Sequence, residues 1–317
     1  MANGTVSAIT AEGLVKRFGA VTAVDHLSFQ VHPGEIFGLV GPDGAGKTTT
    51  LRMLAGVLSP DEGLARVAGF DVKRDCEAVK THIGYMPQRF GLYEDLTVDE
   101  NLRFYADLFG LHRCEREQQA SRLLEAAGMA EFRGRLAGKL SGGMKQKLGL
   151  TCALIHHPRV LLLDEPTTGV DPVSRREFWQ ILYSLRRENV TILISTAYLD
   201  EAERCSRLAM LSHGRMLLCD TPGALKRRMP GNVVVIPSPR AREVRDQLAH
   251  ADGVSSLMLM GNAVHLVVDD APLRIPALAR ALQLRSIPFD SMTPSEPSIE
   301  DLFVACVQKQ SRAEVPV

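Results

Sequence analysis

The sequence predicts an α/β fold with a mixed core sheet, followed by a smaller α+β domain. Near-continuous apolar runs occur at residues 35–40, 160–164 and 190–195, and such runs are typical of strands buried on both faces of a sheet. The first run is followed by leucines at helical spacing, which predicts a helix. After about residue 230 the pattern restarts in the order βαββαβ, which is typical of a ferredoxin-like domain.

The first domain is predicted to begin with antiparallel strands, because apolar and polar residues alternate from about Val6 to Gln30. The buried strand "EIFGLV" follows, and the helix after it is predicted over residues 47–58. Residues 95–136 are charged and predict helices. A hairpin is predicted over residues 207–220, with its turn at His213–Gly214.

The end of the first domain is predicted from helix and linker chemistry. In "TPGALKRR", Thr221 is the expected N-cap of a short helix and Pro222 its first residue. The charged run "KRRMPGN" then brings a proline and a glycine together, which indicates a boundary. We therefore predict a first domain over residues 6–230, a second over 231–310 and a tail over 311–317.

The second domain is predicted from one βαββαβ pattern and a closing helix. Its hairpin turns near Gly261–Asn262, and its closing helix has Ser298 as the expected N-cap. The predicted elements are a strand at 233–238, a helix at 239–251, a hairpin at 254–270, a helix at 274–286, a strand at 288–294 and the closing helix at 298–308.

The composition is that of a protein able to bury a core, with 45% apolar and 23% charged residues. Lys+Arg and Asp+Glu both number 37, and this neutral balance counts against a nucleic-acid partner. The six cysteines are scattered without Cys-x-x-Cys spacing, so neither zinc nor a redox pair is expected. No apolar run approaches the ~18 residues that span a bilayer, and the N-terminus does not predict a signal peptide.

The stretch "GPDGAGKTT" is the first motif in the chain that indicates a chemical function. It fits G-x-x-x-x-G-K-[ST] through Gly41, Gly46, Lys47 and Thr48, between a buried strand and a helix. Glycines let backbone N–H groups wrap a phosphate, and the helix N-terminus adds its positive dipole end. Lys47 would neutralise the β- and γ-phosphates, and Thr48 would place its hydroxyl on Mg²⁺.

Two further motifs suit the same chemistry. "VLLLDEP" places Asp164 at the end of a buried strand, where it would hold Mg²⁺ through water, and Glu165 beside it as a base for the attacking water. By itself such a strand end is equally typical of a polar turn. "KLSGGMKQKL" places Ser141, Gly142 and Gly143 at the start of a basic helix, where free N–H groups suit an anion. Taken alone, that stretch is equally typical of a helix N-cap followed by a flexible glycine pair.

Together these motifs resemble the ATP-binding cassette (ABC) ATPases over about residues 6–230. "GPDGAGKTT" is similar to the Walker A loop, "LLLDEP" to Walker B with its catalytic glutamate, and "LSGGM" to the family signature. Phe18 matches the aromatic residue that stacks on adenine, and Gln88 the Q-loop glutamine that touches Mg²⁺ and faces the transporter subunit. Asp171 matches the D-loop aspartate.

The resemblance implies a P-loop NTPase fold of the ABC type, with an antiparallel β subdomain and a helical signature subdomain. It implies ATP and Mg²⁺ as cofactors. The implied catalytic residues are Glu165, Gln88 and Lys47, and the implied Mg²⁺ ligands are Thr48, Gln88 and Asp164. The implied ATP-binding residues are Phe18, Gly41, Pro42, Asp43, Gly44, Ala45, Gly46, Lys47, Thr48 and Thr49, with Ser141, Gly142 and Gly143 meeting the ATP of a partner subunit.

Two positions depart from the family pattern. Asp43 stands where the Walker A loop usually has Asn, so a negative charge lies near the phosphates and ATP binding is expected to be somewhat weaker or little changed. Ala197, in "ISTAYLDEAE", stands where the family has the switch histidine that reaches the γ-phosphate. A methyl group cannot donate that hydrogen bond, and losing one such donor typically costs about 10²–10³ in rate.

The resemblance also implies partners. Cassettes of this family pair so that the signature of one subunit completes the ATP site of the other, and they act on integral membrane permease subunits at the cytoplasmic face of the membrane. The C-terminal region, including "PSIEDLFVACV", resembles the accessory domain of exporters of the drug-efflux type. A small domain of unrelated purpose stays open there, because fold does not fix function.

The motifs are compatible with three functions. The first is the ATPase subunit of an ABC exporter, in a homodimer or with a paralogous second ABC subunit. The second is an ATP-binding subunit with impaired hydrolysis, the regulatory half of a heterodimer, which Ala197 favours. The third is a non-transport ABC protein acting on nucleic acid or the ribosome. The segment between Lys47 and Ser141 is too short for the insertions of the DNA-repair members, and the chain has one cassette where translation factors usually have two.

Overall fold

The structure, a computed structural model, describes residues 7–89 and 91–313. These fall into two compact units, with residues 7–198 and 205–216 in unit 1 and residues 199–204 and 217–313 in unit 2. Residue 6, the predicted start of the first domain, and residues 314–317 of the predicted tail lie outside the described residues.

The strands and helices have the following bounds in the described ranges. The strands are β1 (Ile9–Phe18), β2 (Val21–Val31), β3 (Ile36–Val40), β4 (Glu62–Val67), β5 (Phe70–Asp71), β6 (Ile83–Met86), β7 (Val160–Asp164), β8 (Thr191–Thr196), β9 (Arg207–Ser212), β10 (Arg215–Asp220), β11 (Asn232–Pro237), β12 (Val254–Met260), β13 (Ala263–Val268) and β14 (Thr293–Ser295). The α-helices are α1 (Lys47–Leu54), α2 (Cys76–His82), α3 (Val98–Leu108), α4 (Arg113–Ala126), α5 (Gly142–Leu154), α6 (Pro172–Arg187), α7 (Leu199–Ala202), α8 (Pro222–Lys226), α9 (Ala241–Leu248), α10 (Ala271–Leu284) and α11 (Ile299–Ala313).

The antiparallel sheet predicted at the start of the first domain is present. Its strand order is β2-β1-β4-β5, and β1 pairs with β2 from Ile9 opposite Val31 to Phe18 opposite Val21. Residues along much of these strands alternate between buried and more exposed positions, as expected where one face packs on a core and the other meets water.

The core sheet has six strands in the order β10-β9-β3-β8-β7-β6. Pairing is parallel between β3 and β8, β3 and β9, β7 and β8, and β6 and β7, and every residue of β3, β7 and β8 is buried. Carboxyl ends of parallel strands meet at one edge, so Val40 lies opposite Thr196 and Asp164 lies opposite Ser195. This edge collects the side chains of the predicted Walker motifs.

Helices pack around this sheet in unit 1. Phe178 and Trp179 of α6 are fully buried in a large apolar cluster, together with residues from α3, α4 and α5. The helix α3 starts with a capping box, because Thr97 accepts from the Glu100 amide and the Glu100 carboxylate accepts from the Thr97 amide. The helices predicted over residues 95–136 are therefore confirmed as α3 and α4.

The helix after the glycine-rich loop is shorter than predicted. The sequence pattern predicts that it reaches Leu58, but α1 ends at Leu54. The Val57 amide donates to the Arg52 carbonyl at 3.0 Å and the Gly56 amide to the Met53 carbonyl at 3.1 Å. This Schellman closure turns the chain at Gly56, whose φ of +68° ends the helix.

Unit 2 contains a second antiparallel sheet, with strand order β12-β13-β11-β14. Its elements from β11 to β14 follow the predicted βαββαβ order, and α9 and α10 contribute to an apolar cluster against the sheet. The last strand is predicted at 288–294 but forms at Thr293–Ser295. Residues 288–290 are tied elsewhere, since the Pro288 carbonyl accepts from Ser238 Oγ and the Asp290 amide donates to the Pro237 carbonyl.

The closing helix has the predicted N-cap. Ser298 Oγ accepts from the Asp301 amide at 3.0 Å, and Asp301 Oδ2 accepts from the Ser298 amide at 2.9 Å. The helix α11 includes residues 311–313, which the sequence pattern assigns to a tail. None of the helices in the described ranges has the length and apolar character needed to cross a membrane.

Candidate functional site

The glycine-rich loop, residues 41–46, connects β3 to α1. Gly46 has a φ of +95°, and a Cβ atom built on it would lie 2.4 Å from the Ala23 carbonyl oxygen, so only glycine fits. As the N-cap residue of α1, Gly46 has no side chain to occupy the first backbone N–H groups. These N–H groups and the positive end of the helix dipole are suited to binding an anion at the loop.

Lys47 is the first residue of α1, and its side chain is only 4% exposed. Its Nζ donates to the carbonyl oxygens of Gly41 (2.7 Å) and Pro42 (3.0 Å). The same Nζ lies 3.0 Å from Glu165 Oε1. The loop thus holds a buried cation between its own carbonyls and the adjacent carboxylate, where a phosphate would find a positive charge already desolvated.

Asp164 ends β7 and is fully buried. Its Oδ1 accepts from Thr48 Oγ1 at 3.0 Å and from Ser195 Oγ at 2.7 Å. Its Oδ2 is buried and has no hydrogen-bond partner among the described residues. Burial raises the pKa of the Asp164 carboxyl, and the hydrogen bonds from Ser195 and Thr48 oppose that rise. A buried carboxylate oxygen without a donor, beside a threonine hydroxyl, is the donor set that a hard divalent cation prefers.

Glu165 follows in a left-handed backbone conformation, with φ of +47°. Such a conformation costs on the order of 1–3 kcal/mol in a residue other than glycine and is concentrated at functional sites. Both oxygens of the Glu165 carboxylate have partners. Oε1 pairs with Lys47, and Oε2 accepts hydrogen bonds from Gln88 Nε2 at 3.2 Å and from Thr168 Oγ1 at 3.4 Å. The strained backbone therefore aims a positioned carboxylate at the glycine-rich loop.

These residues surround one cavity of about 630 Å³ in unit 1. The structure brings together the predicted residues of the loop with Gln88 and Glu165. The lining residues are Val21, Thr22, Ala23, Asp43, Gly44, Ala45, Gly46, Lys47, Thr48, Thr49, Gln88, Glu165 and His213.

Other predicted site residues lie outside that lining. Gly41 and Pro42 contribute through their carbonyl bonds to Lys47. Phe18 ends β1 with its side chain about half exposed, and Lys16 Nζ lies 5.6 Å from the centroid of its ring. Contact of Phe18 with adenine stays a prediction.

Ala197 is exposed and comes directly after β8. The preceding Thr196 carbonyl accepts from the Gly41 amide at 3.3 Å, which ties this strand end to the glycine-rich loop. On the other side, the guanidinium of Arg175 lies 4.3 Å from the centroid of the Tyr198 ring. The turn is therefore fixed on both sides, while the side chain at position 197 offers no hydrogen-bonding group.

The signature residues lie at the start of α5, away from the lining of this cavity. Ser141 is the N-cap of α5, and its Oγ accepts from the Met144 amide at 3.3 Å. Ser141 and Gly142 are exposed, whereas Gly143 is buried. A Cβ atom on Gly143 would lie 2.4 Å from Ser174 Oγ of α6, so this glycine is also required for packing α5 against α6.

The sequence motifs do not single out three contributors to this site. Ser195 links β8 to Asp164, Thr168 donates to Glu165, and His213 lines the cavity from the turn between β9 and β10. The hairpin turn at His213 is predicted, but its proximity to residues 43–49 depends on the order of strands in the sheet. A polar residue in the buried run "TILIST" is the one available signal for Ser195.

Comparisons with known proteins agree with this geometry. The sequence profile of the family described as ABC transporter matches residues 24–168. A protein of Escherichia coli K12 described as a probable multidrug ABC transporter ATP-binding protein is 45% identical over 313 residues, covering 98% of this chain and 54% of that protein. The chain thus spans about half the length of this relative.

Two further similarities cover most of the compared protein. The Nod factor export ATP-binding protein I of Paraburkholderia xenovorans is 38% identical over 300 residues, covering 94% of this chain and 96% of that protein. A solved structure of an ATP-binding subunit of an ABC transporter is 29% identical, with a TM-score of 0.64, over 70% of this chain and 93% of that one. The chain belongs to the family of ABC transporter ATP-binding proteins, whose cassettes are ATPases.

Proposed function

We propose that this chain binds and hydrolyses ATP to energise an ABC exporter, working as a dimer on separate integral membrane permease subunits at the cytoplasmic face of the membrane. The observation that carries the proposal is the buried arrangement of Lys47, Asp164 and Glu165 around the glycine-rich loop. Export as the direction is supported by the Paraburkholderia relative, which is described as a Nod factor export ATP-binding protein.

ATP binding is supported by the loop and its helix. Residues 43–49 line the cavity, their backbone N–H groups are suited to a phosphate, and the Lys47 ammonium is already stripped of most water. A γ-phosphate bound at the loop competes with Glu165 for Lys47. Because Lys47 then neutralises the phosphates, its pair with Glu165 loosens and that carboxylate is free to accept a proton from water.

Mg²⁺ is the cation that the site fits. The ligands from this chain would be Thr48 and Asp164, with Gln88 nearby and the remaining positions filled by phosphate oxygens and water. The unpaired Asp164 Oδ2 supports this assignment. When bound, the ion neutralises charge on the β- and γ-phosphates.

Hydrolysis rests on Glu165 as general base, and its surroundings suit that role. The hydrogen bonds from Gln88 and Thr168 hold Oε2 and so fix the orientation of the carboxylate, and Oε1 becomes available to a water in line with the γ-phosphate once its pair with Lys47 loosens. Ser141, Gly142 and Gly143 would complete the site of the partner subunit in the dimer.

The test is phosphate release by the purified chain with ATP and Mg²⁺. We expect Glu165→Gln to bind ATP but release phosphate at least ~10²-fold more slowly, since a general base contributes about 10²–10⁴. We expect Lys47→Ala to lose both phosphate release and ATP affinity. Glu177→Gln, which alters an exposed ion pair with Lys147, is the matched control and should retain activity. Equal phosphate release by wild type and Glu165→Gln would contradict the proposal.

Ala197 favours a second candidate, an ATP-binding subunit with impaired hydrolysis that acts as the regulatory half of a heterodimer. In that case this chain supplies an intact signature to a complete paralogue. The purified chain alone would then bind ATP with little turnover, and turnover would appear on mixing with the paralogue. Loss of that turnover in the Ser141→Arg variant of this chain would support the heterodimer.

A further inference from the structure

Ser195 makes two hydrogen bonds at the edge of the core sheet where the site lies. It lies on β8 opposite Asp164 of β7, and it is fully buried. Its hydroxyl donates to Asp164 Oδ1 at 2.7 Å and accepts from the Glu165 amide at 3.0 Å. One side chain therefore contacts both acidic residues of the proposed site.

The hydrogen bond to Asp164 selects which carboxylate oxygen stays available. Ser195 and Thr48 both donate to Oδ1, and Oδ2 is left without a hydrogen-bond partner in the described part of the chain. Two donors on one oxygen fix the rotation of the carboxylate about its Cβ–Cγ bond.

The hydrogen bond from Glu165 holds a strained backbone. The Glu165 amide donates to Ser195 Oγ and also approaches the Ser195 carbonyl at 3.2 Å. With φ of +47°, Glu165 needs such external support to stay in the left-handed region.

We propose that Ser195 is a positioning residue that orients Asp164 Oδ2 towards the cation and holds Glu165 in its working conformation. This inference rests on the proposed ATP–Mg²⁺ site. It assigns to a serine in a buried strand the role that outer-shell hydrogen bonds have at metal sites, where their loss typically costs about 10–100-fold in metal affinity or activity.

The test compares Ser195→Ala and Ser195→Thr in the full chain. Two quantities are measured, namely ATP affinity as a function of MgCl₂ concentration and phosphate release. For Ser195→Ala we expect the Mg²⁺ concentration at half effect to rise about 10-fold or more and kcat to fall about 10–100-fold. The affinity for ATP without Mg²⁺ should change less than about 3-fold, because it rests on residues 43–49. Ser195→Thr keeps the hydroxyl and should restore most of both quantities.

Ser238→Ala is the matched control. Ser238 is also buried, and its hydroxyl also donates once, to the Pro288 carbonyl, and accepts once, from the Arg240 amide. It lies in unit 2, so its loss should lower thermal stability without moving the Mg²⁺ response. Equal Mg²⁺ responses in Ser195→Ala and Ser238→Ala would overturn the inference, as would equal losses in Ser195→Ala and Ser195→Thr.

The two proposals fail in distinguishable ways. If the wild type shows no increase in ATP affinity with Mg²⁺, the proposed function is wrong. If the wild type shows that increase and Ser195→Ala retains it with an unchanged kcat, the inference about Ser195 alone is wrong. If the wild type binds ATP–Mg²⁺ without turnover and Ser195→Ala loses the Mg²⁺ response, the positioning role of Ser195 is supported and ATP hydrolysis by this chain is contradicted.

Discussion

Restoring a histidine at position 197 tests how this site cleaves ATP. The exposed Ala197 follows β8, and the Thr196 carbonyl before it is bonded to the Gly41 amide of the glycine-rich loop. That backbone hydrogen bond brings position 197 close to the loop, and an exposed position has room for an imidazole. One added donor aimed at developing charge on the γ-phosphate is worth about 10²–10³ in rate, or about 3–4 kcal/mol of barrier. We therefore expect Ala197→His to raise kcat by that factor.

The assay is steady-state phosphate release at saturating ATP and Mg²⁺. ATP affinity should change less than about 3-fold, because it depends on residues 43–49 rather than on position 197. Ala197→Leu adds a side chain of similar size without a donor and should stay as slow as the wild type. The double variant Ala197→His/Glu165→Gln should be inactive, since the base is absent. A wild type that releases phosphate as fast as Ala197→His would refute the reasoning.

Three further predictions concern other positions. Asp43→Asn removes a negative charge from the lining of the cavity. We expect ATP affinity to rise about 3–10-fold at low salt, and this gain to shrink as salt screens the charge. A gain in affinity that is independent of salt would contradict this prediction. Gly143→Ala should lower the free energy of unfolding in urea by about 1–3 kcal/mol, because its Cβ would collide with Ser174. Gly142→Ala, whose Cβ would have no described atom within 4 Å, should change that free energy little. Burial lowers the pKa of His156 to about 4 despite the Ile83 carbonyl contact, below the ~6.5 of a free imidazole. The unfolded chain therefore takes up a proton that the folded chain does not. As the pH drops from 6.5 to 4.5, the free energy of unfolding should fall by about 2–3 kcal/mol more in the wild type than in His156→Gln. Parallel pH profiles of the two proteins would show that His156 is not the cause.

The elements and their order along the chain could be predicted from the sequence where a single chemical pattern determines them. The runs that form β3, β7 and β8 are apolar throughout because both faces of a parallel sheet are covered. The caps at Thr221 and Ser298 could be predicted because their hydroxyls satisfy free amides at the first turn. The ends of the elements were harder to predict from the sequence, because they depend on hydrogen bonds such as those that close α1 at Gly56.

The site itself could be predicted only in part. The loop, Asp164 and Glu165 belong to contiguous motifs whose spacing is set by local chemistry. Ser195 and His213 reach the site through the order of strands, in which β8 and β9 flank β3. The ion pair between Lys47 and Glu165 likewise joins two distant segments, and no local pattern in the sequence indicates it.

The central claim is that the glycine-rich loop of this chain holds ATP while Glu165 cleaves it. The most direct measurement is an equilibrium titration of Glu165→Gln with ATP and Mg²⁺, with molecular mass followed by light scattering. We predict saturable binding of a single ATP per chain and conversion to a dimer, both lost in Lys47→Ala/Glu165→Gln. Absence of saturable binding, or identical binding by the two variants, would contradict the account.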